Sequence, residues 1–339
     1  MLTLRTIDAH TAGEPLRLIV SGFPPVEGET MLDKREWVRE QHDHLRRALM
    51  LEPRGHADMY GAVLTAPERD DSDAGVLFMH NAGYSTMCGH GIIAVATIAL
   101  ERGLLMPRAG RSAMIFDTPA GSVHVTAVMS PAEPGRVSHV SFRNVPSFVL
   151  EGGIPVRLGS RELRADVAFG GAFYAIVDSE SAGIPLVPER LADLRKAGME
   201  IRERVEAAVR AEHPEAPGLR GIYGTIFTGP AASPDADLRN VTVFADAAVD
   251  RSPCGTGTSA VMAVLSEMGL LGEGQTFTHE SIIGTLFRGR VVEDTMVGEL
   301  RAIVPEIRGE AYITAESTFL IDERDPLAFG FSLQPGVNS

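Results

Sequence analysis

The chain has 339 residues, which suggests about two domains, and its 44% hydrophobic and 22% charged residues are ordinary for a globular protein. A net charge of −14 argues against a nucleic-acid partner, because phosphate backbones reward clustered Lys and Arg; a small anionic substrate held by local amide donors stays open. No apolar run reaches the roughly 18 residues of a membrane helix, and Met1 to Thr6 lacks the basic-then-apolar pattern of a signal peptide, so the expected setting is cytoplasmic.

In chain order, period-2 apolar stretches predict strands at Leu2 to His10, Leu16 to Ser21, Gly61 to Thr65, Val76 to His80 and Val123 to Val128. Met31 to Met50 reads as one helix, with Asp33 and Glu36 spaced as a capping box. Further strands follow at Val137 to Phe142, Phe148 to Leu150 and Ala172 to Val177, then a charged helix from about Pro188 to Glu212. Strands resume at Tyr223 to Thr228, Asn240 to Ala245, Gly298 to Val304 and Ala311 to Ile321, with Thr228 to Asp237 as an exposed loop. Mixed strands with few helices predict α/β domains of mixed, α+β character rather than a doubly wound parallel sheet. The domain expectation is 1–148 plus 320–339 for the first, carrying Cys88, and 149–319 for the second, carrying Cys254.

An internal repeat carries the most information. With Cys88 laid over Cys254, eleven of 28 positions match without gaps, among them Phe78 on Phe244, Gly89 on Gly255, Gly91 on Gly257 and Gly103-Leu104-Leu105 on Gly269-Leu270-Leu271. Two copies half a chain apart suggest a pseudo-symmetric pair of domains. Each copy reads as strand, turn, helix. Ile92, Val95, Ile98 and Ala99, and Val261, Val264, Leu265 and Met268, lie along helices that Gly103 and Gly269 end. Thr86 and Ser252 take the N-cap role and Pro253 the first helical position, so each cysteine is expected in a first helical turn, followed by Gly-x-Gly.

These are the only cysteines, too few for a disulfide framework or a four-thiolate zinc site, and no paired histidines complete a metal centre. A helix start offers unpaired N–H groups and partial positive charge, which lowers a thiol pKa and binds an anion. Glycine beside the thiol lets a ligand approach the backbone. Two such copies suit 1,1-proton transfer at a carbon next to a carboxylate: one cysteine removes the α-hydrogen and the other returns a proton to the opposite face. The alternatives are small buried cysteines packing under helices, a nucleophilic thiol with His90 as base, and a two-domain binding protein for an imino acid. His90, two residues on from Cys88 at the same helix start, is expected to face away from the sulfur, and a hydrolase has no use for the second copy.

Met87-Cys88-Gly89-His90-Gly91 and Asp250-Arg251-Ser252-Pro253-Cys254-Gly255-Thr256-Gly257-Thr258-Ser259 resemble the two signature motifs of the proline racemase family. Asp8 to Pro15 and Glu52-Pro53-Arg54-Gly55 resemble its other hallmarks, and the similarity runs from about residue 5 to 331. The resemblance implies a diaminopimelate-epimerase-like fold of two similar domains, each wrapping strands around a central helix, usually in a homodimer, with no cofactor or metal. It implies Cys88 and Cys254 as the two bases and the amides of Gly89, His90, Gly255 and Thr256 around the carboxylate. It places the His90 and Asp250 side chains at the ring nitrogen and Phe244 against the substrate ring.

Members resemble one another closely but differ in reaction: proline racemase, hydroxyproline 2-epimerases and trans-3-hydroxy-L-proline dehydratase. Proline racemases look like Cys-Gly-His-Asn, whereas Gly91 follows His90 here; the missing side chain is expected to leave room for a ring hydroxyl. Glu52 to Val63, His80 to Ser85 and Gly170 to Ala175 look most like the dehydratases. Those enzymes typically carry Thr where this chain has Cys254. The favoured expectation is therefore a hydroxyproline 2-epimerase, with the dehydratase as the alternative and proline racemase behind both. Met59 and Tyr60 are further candidates for ring contacts.

Overall fold

The computed structural model describes residues 1–106 and 113–333. The chain divides into two compact units, residues 1–142 with 310–339, and residues 143–309. The expected breaks after 148 and 319 would have cut the strands Ser147–Leu158 and Ala311–Ile321. The second of these pairs with Leu2–Thr11 along its whole length, so ladder hydrogen bonds hold it in the first unit.

In the first unit, Leu2–Thr11 lies antiparallel between Glu14–Ser21 and Ala311–Ile321. Glu14–Ser21 then runs parallel to Tyr60–Thr65, which pairs antiparallel with Ala74–His80. Ala74–His80 adds Gly83–Ser85 antiparallel and Met114–Thr118 parallel, and Met114–Thr118 turns back into Gly121–Met129. These strands wrap the helix Gly89–Glu101, which packs on Leu2–Thr11, Glu14–Ser21, Tyr60–Thr65, Gly121–Met129 and Ala311–Ile321. Every residue from Gly89 to Ala99 is buried. A helix apolar all round belongs inside a core rather than on its surface, and GHGIIAVATIA is such a sequence.

The second unit repeats the plan. Ser147–Leu158 and Arg161–Phe169 form an antiparallel hairpin, Arg161–Phe169 pairs with Phe173–Asp178, and Phe173–Asp178 runs parallel to Ile222–Pro230. Thr276–Glu280, Leu286–Val297 and Leu300–Gly309 follow as an antiparallel meander. The helix Gly255–Glu267 packs on Ser147–Leu158, Arg161–Phe169, Phe173–Asp178, Leu286–Val297 and Leu300–Gly309, and it is buried from Gly255 to Ala263. Mixed sheets around one buried helix in each unit give the expected α/β class. Gly103 and Gly269 follow the two helices at φ of 63° and 73°, the left-handed conformation a helix stop favours.

Two local expectations need correction. Met31 to Met50 is not one helix: Met31–Gln41 stops at His42 (φ −134°, ψ 17°) and Asp43–Met50 starts anew. The capping box is Thr30 with Asp33, not Asp33 with Glu36; Asp33 N donates to Thr30 Oγ1 and Thr30 N to Asp33 Oδ2, both at 3.1 Å. In the second unit Arg161–Phe169 is a strand outside the expected set; Leu163 and Ala165 point inward on either side of exposed Arg164, and Val167 to Phe169 are all buried. No helix among the described residues is long and apolar enough to cross a membrane.

His80 in the first unit and His279 in the second, both buried, are expected to make stability depend on pH. Burial lowers the pKa of both His80 and His279 to about 3, with Arg46 adding to the effect at His80. In the unfolded chain each ring titrates near 6.5. Below that pH the unfolded state binds protons that the folded state refuses, so stability is present above about pH 6.5 and drains away as pH falls towards 3. The slope is about 1.4 kcal/mol per pH unit for each ring. Urea unfolding at pH 6.5 and 5 should show a clear drop in midpoint, and identical midpoints would show that the rings are not held neutral.

Candidate active site

Both cysteines sit two positions earlier in their helices than their sequence context predicts. Cys88 and Cys254 are themselves the N-caps of Gly89–Glu101 and Gly255–Glu267, in place of Thr86 and Ser252. Each sulfur accepts from the third helical amide, Gly91 N at 3.2 Å and Gly257 N at 3.3 Å. A thiol can do what a Ser or Thr hydroxyl usually does at a cap, and Ser252 is occupied elsewhere: its Oγ accepts from Cys254 N at 3.1 Å. Capping fixes each sulfur over the amides of the first turn, which lie outside the helix's own hydrogen-bond ladder.

The glycine after next makes this possible. A Cβ on Gly91 would lie 2.6 Å from Phe78 Cε1 and 2.9 Å from Cys88 Sγ, and one on Gly257 would lie 3.0 Å from both Cys254 Sγ and Ile226 Cδ1. The expectation that Gly91 opens room for a ring hydroxyl is therefore corrected. That space is filled by the sulfur and a core phenyl ring, and Gly91 serves their close approach.

The first half-site places an imidazole on the thiol. His90 does not face away: its Nδ1 lies 3.2 Å from Cys88 Sγ. The expectation assumed a cysteine inside the helix, but from a cap the sulfur leans over the first turn, where the second helical residue can reach it. The Tyr60 ring meets His90 edge-on at 4.8 Å between centroids, and the Tyr60 hydroxyl bonds Ser85 Oγ. Thr11 Oγ1 donates to the His90 carbonyl at 2.8 Å, which ties the Asp8 to Pro15 segment to the helix start. Met59 belongs to the core that Leu49, Met50, Leu77 and Met79 form. Of the two ring-contact candidates here, Tyr60 is the one that touches the half-site.

The second half-site is built differently from the same sequence template. Cys254 has φ 60°, where a non-glycine residue is strained by about 1–3 kcal/mol. Its neighbours hold it there: the Pro253 carbonyl accepts from Asn240 Nδ2 at 2.9 Å and from Thr258 Oγ1 at 3.0 Å, and Thr258 N donates to the Cys254 carbonyl at 2.7 Å. Buried Asp250 accepts from Ser252 N at 2.8 Å and Ser252 Oγ at 2.7 Å, which anchors the turn before the thiol. Thr256 Oγ1 lies 3.6 Å from Cys254 Sγ, the place His90 takes in the first half-site. Phe244 stacks on Tyr223 at 5.5 Å, and Tyr223 meets Tyr174 edge-on.

The electrostatics correct a further expectation. The Cys254 thiol is not lowered by its helix end but pushed up to about 12, first by burial and then by the Asp250 carboxylate; Thr256, Gly257 N and Tyr174 pull the other way. Desolvation outweighs three hydrogen bonds, so this sulfur rests protonated.

Tyr174 is the site residue that motif reading missed. Its hydroxyl is 2.7 Å from Thr256 Oγ1 and 3.9 Å from Cys254 Sγ. Nothing in a single tyrosine on the strand Phe173–Asp178 marks it as a partner of a thiol 80 residues away.

Residues 6–332 match the proline racemase family. A trans-3-hydroxy-L-proline dehydratase of Bacillus cereus is 48% identical, over 97% of this chain and 97% of its own. A 3-hydroxyproline 2-epimerase of Burkholderia multivorans is 42% identical, over 97% of this chain and 98% of its own. Among solved structures, a hydroxyproline epimerase of Agrobacterium vitis with bound trans-4-hydroxy-L-proline is 30% identical, with a TM-score of 0.92 over 100% of this chain and 97% of that one. The two capped thiols thus lie in a chain that is similar over its length to enzymes of racemase, epimerase and dehydratase type, and the protein belongs to the proline racemase family.

Proposed function

We propose that the enzyme inverts the α-carbon of a 3- or 4-hydroxyproline by two-thiol proton transfer, with no cofactor. The observation that carries this reading is the second capped thiol, Cys254, in the matched position to Cys88. One thiol takes the α-hydrogen and the other returns a proton to the opposite face of the same carbon. Cys254, held as a thiol by burial, rests as the proton donor. Cys88, with the His90 imidazole at 3.2 Å to share its proton, serves as the base in that direction, and the roles exchange in the reverse reaction. The amides of Gly89, His90, Gly255 and Thr256 hold the carboxylate and stabilise its enolate-like charge, an effect strongest where water is excluded. His90 and Asp250 meet the ring nitrogen, and Phe244 and Tyr60 line the ring.

A second reading is dehydration of trans-3-hydroxy-L-proline, favoured by the 48% identity to the Bacillus cereus enzyme of that name. In that substrate the α-hydrogen and the 3-hydroxyl share one ring face, so one thiol suffices. Incubation with proline and each hydroxyproline isomer in D2O, followed by NMR, separates the readings. Inversion with α-deuteration of a hydroxyproline is the expected result. A pyrroline product with no inversion of any isomer would hand the assignment to the dehydratase.

A further inference from the structure

We propose that Tyr174 is a positioning residue for the Cys254 thiol, acting through the Thr256 hydroxyl. The inference rests on the reading of Cys254 as a proton-transfer thiol, and it deepens that reading by naming what sets the sulfur's ionisation. The two half-sites differ in what meets the sulfur: Cys88 has an imidazole at 3.2 Å, whereas Cys254 has a hydroxyl at 3.6 Å that in turn bonds a second hydroxyl at 2.7 Å. Tyr174 is 1% exposed and its phenol is held well above its usual pKa, by burial first and then by Cys254 and Tyr223. It therefore keeps its proton near neutral pH.

That retained proton gives the chain a direction. When Cys254 is a thiolate, Tyr174 donates to Thr256 Oγ1 and the Thr256 proton turns to the sulfur. When Cys254 is a thiol, Thr256 is free to accept from it and to donate towards the phenol oxygen. The pair of hydroxyls can thus reverse with each proton the sulfur gains or loses, and no proton leaves the pair. A lone threonine lacks the phenol donor that holds its own proton on the sulfur. In a site where burial already penalises the thiolate, a hydrogen bond to the charged form is among the few terms that oppose the penalty.

The test reads thiolate character directly and needs no turnover. Iodoacetamide alkylation of Cys88 and Cys254 is followed peptide by peptide by mass spectrometry across pH, in the parent and in Tyr174→Phe. Loss of a hydrogen bond to a charged group is worth about tenfold or more, and this one acts through an intermediary. Cys254 alkylation in Tyr174→Phe should therefore be about tenfold slower at fixed pH, with its profile displaced upward by about one pH unit, while Cys88 keeps its parent profile. Thr256→Val should give a similar displacement, Thr256→Ser should restore the parent profile, and Tyr174→Phe with Thr256→Val should do no more than either alone. An unmoved Cys254 profile in Tyr174→Phe, or equal slowing at both cysteines, overturns the proposal. Absence of α-deuteration in the parent would instead sink the proton-transfer reading, whatever the alkylation shows.

Discussion

Cys254→Ser is expected to lose inversion of hydroxyproline by about 10²–10⁴-fold, the usual worth of one positioned acid or base. Serine is the fair substitute because its hydroxyl can still accept from Gly257 N at the cap, so the helix start and the carboxylate-binding amides should survive. What disappears is a group able to shed and regain a proton near neutral pH. Cys254→Thr should lose inversion equally, with an added stability cost from a β-branched residue at φ 60°. Any dehydration of trans-3-hydroxy-L-proline should persist in both variants, provided Cys88 is the thiol on the shared face of hydrogen and hydroxyl. Cys88→Ser should then damage both reactions. The measurement is NMR of inversion, α-deuteration and pyrroline formation in D2O. Inversion at the parental rate by Cys254→Ser would end the two-thiol mechanism.

What was legible in the sequence is what repeats or lies close along the chain. The helices after the two Cys-Gly-x-Gly motifs and the stops at Gly103 and Gly269 depend on residues within a few positions of one another, and the structure places them as read. The site's finer chemistry depends on contacts across the fold. Spacing marks the start of a helix but not which residue closes it, so Ser252 looked like the cap until its hydroxyl proved to be bonded to Cys254 N. A helix end predicts a lowered thiol pKa, yet burial of Cys254 and the Asp250 carboxylate are both properties of the packed state and reverse the sign. Tyr174 reaches Thr256 across 82 residues, beyond any local pattern. The missing side chain at Gly91 suggests space because a sequence does not show that Phe78 fills it.

Gly91→Ala should cost hydroxyproline and proline turnover alike, by about 10²-fold. The new Cβ would sit 2.6 Å from Phe78 Cε1, 3.0 Å from Phe78 Cδ1 and 2.9 Å from Cys88 Sγ. Phe78 is wholly buried on the strand Ala74–His80 and has no solvent to retreat into. The sulfur or the first helical turn must therefore give way, by a fraction of an ångström to an ångström. Displacement of a reacting group by about 1 Å is enough for a loss of that size, whatever the substrate carries on its ring. Stability should fall by only about 1–3 kcal/mol, the usual cost of overpacking, so the variant is expected to fold. Gly257→Ala should be milder, since its nearest contact besides the sulfur is the tip of the Ile226 side chain at 3.0 Å. Gly91→Asn, which writes in the residue that proline racemases resemble at this position, meets the same two neighbours and should lose both substrates as well. The comparison is kcat/KM for 4-hydroxyproline and for proline in the parent and each variant, with a melting curve as the folding control. A variant that gives up hydroxyproline but keeps proline would show that the absent side chain does make room for the ring hydroxyl, and that Phe78 yields where the packing says it cannot.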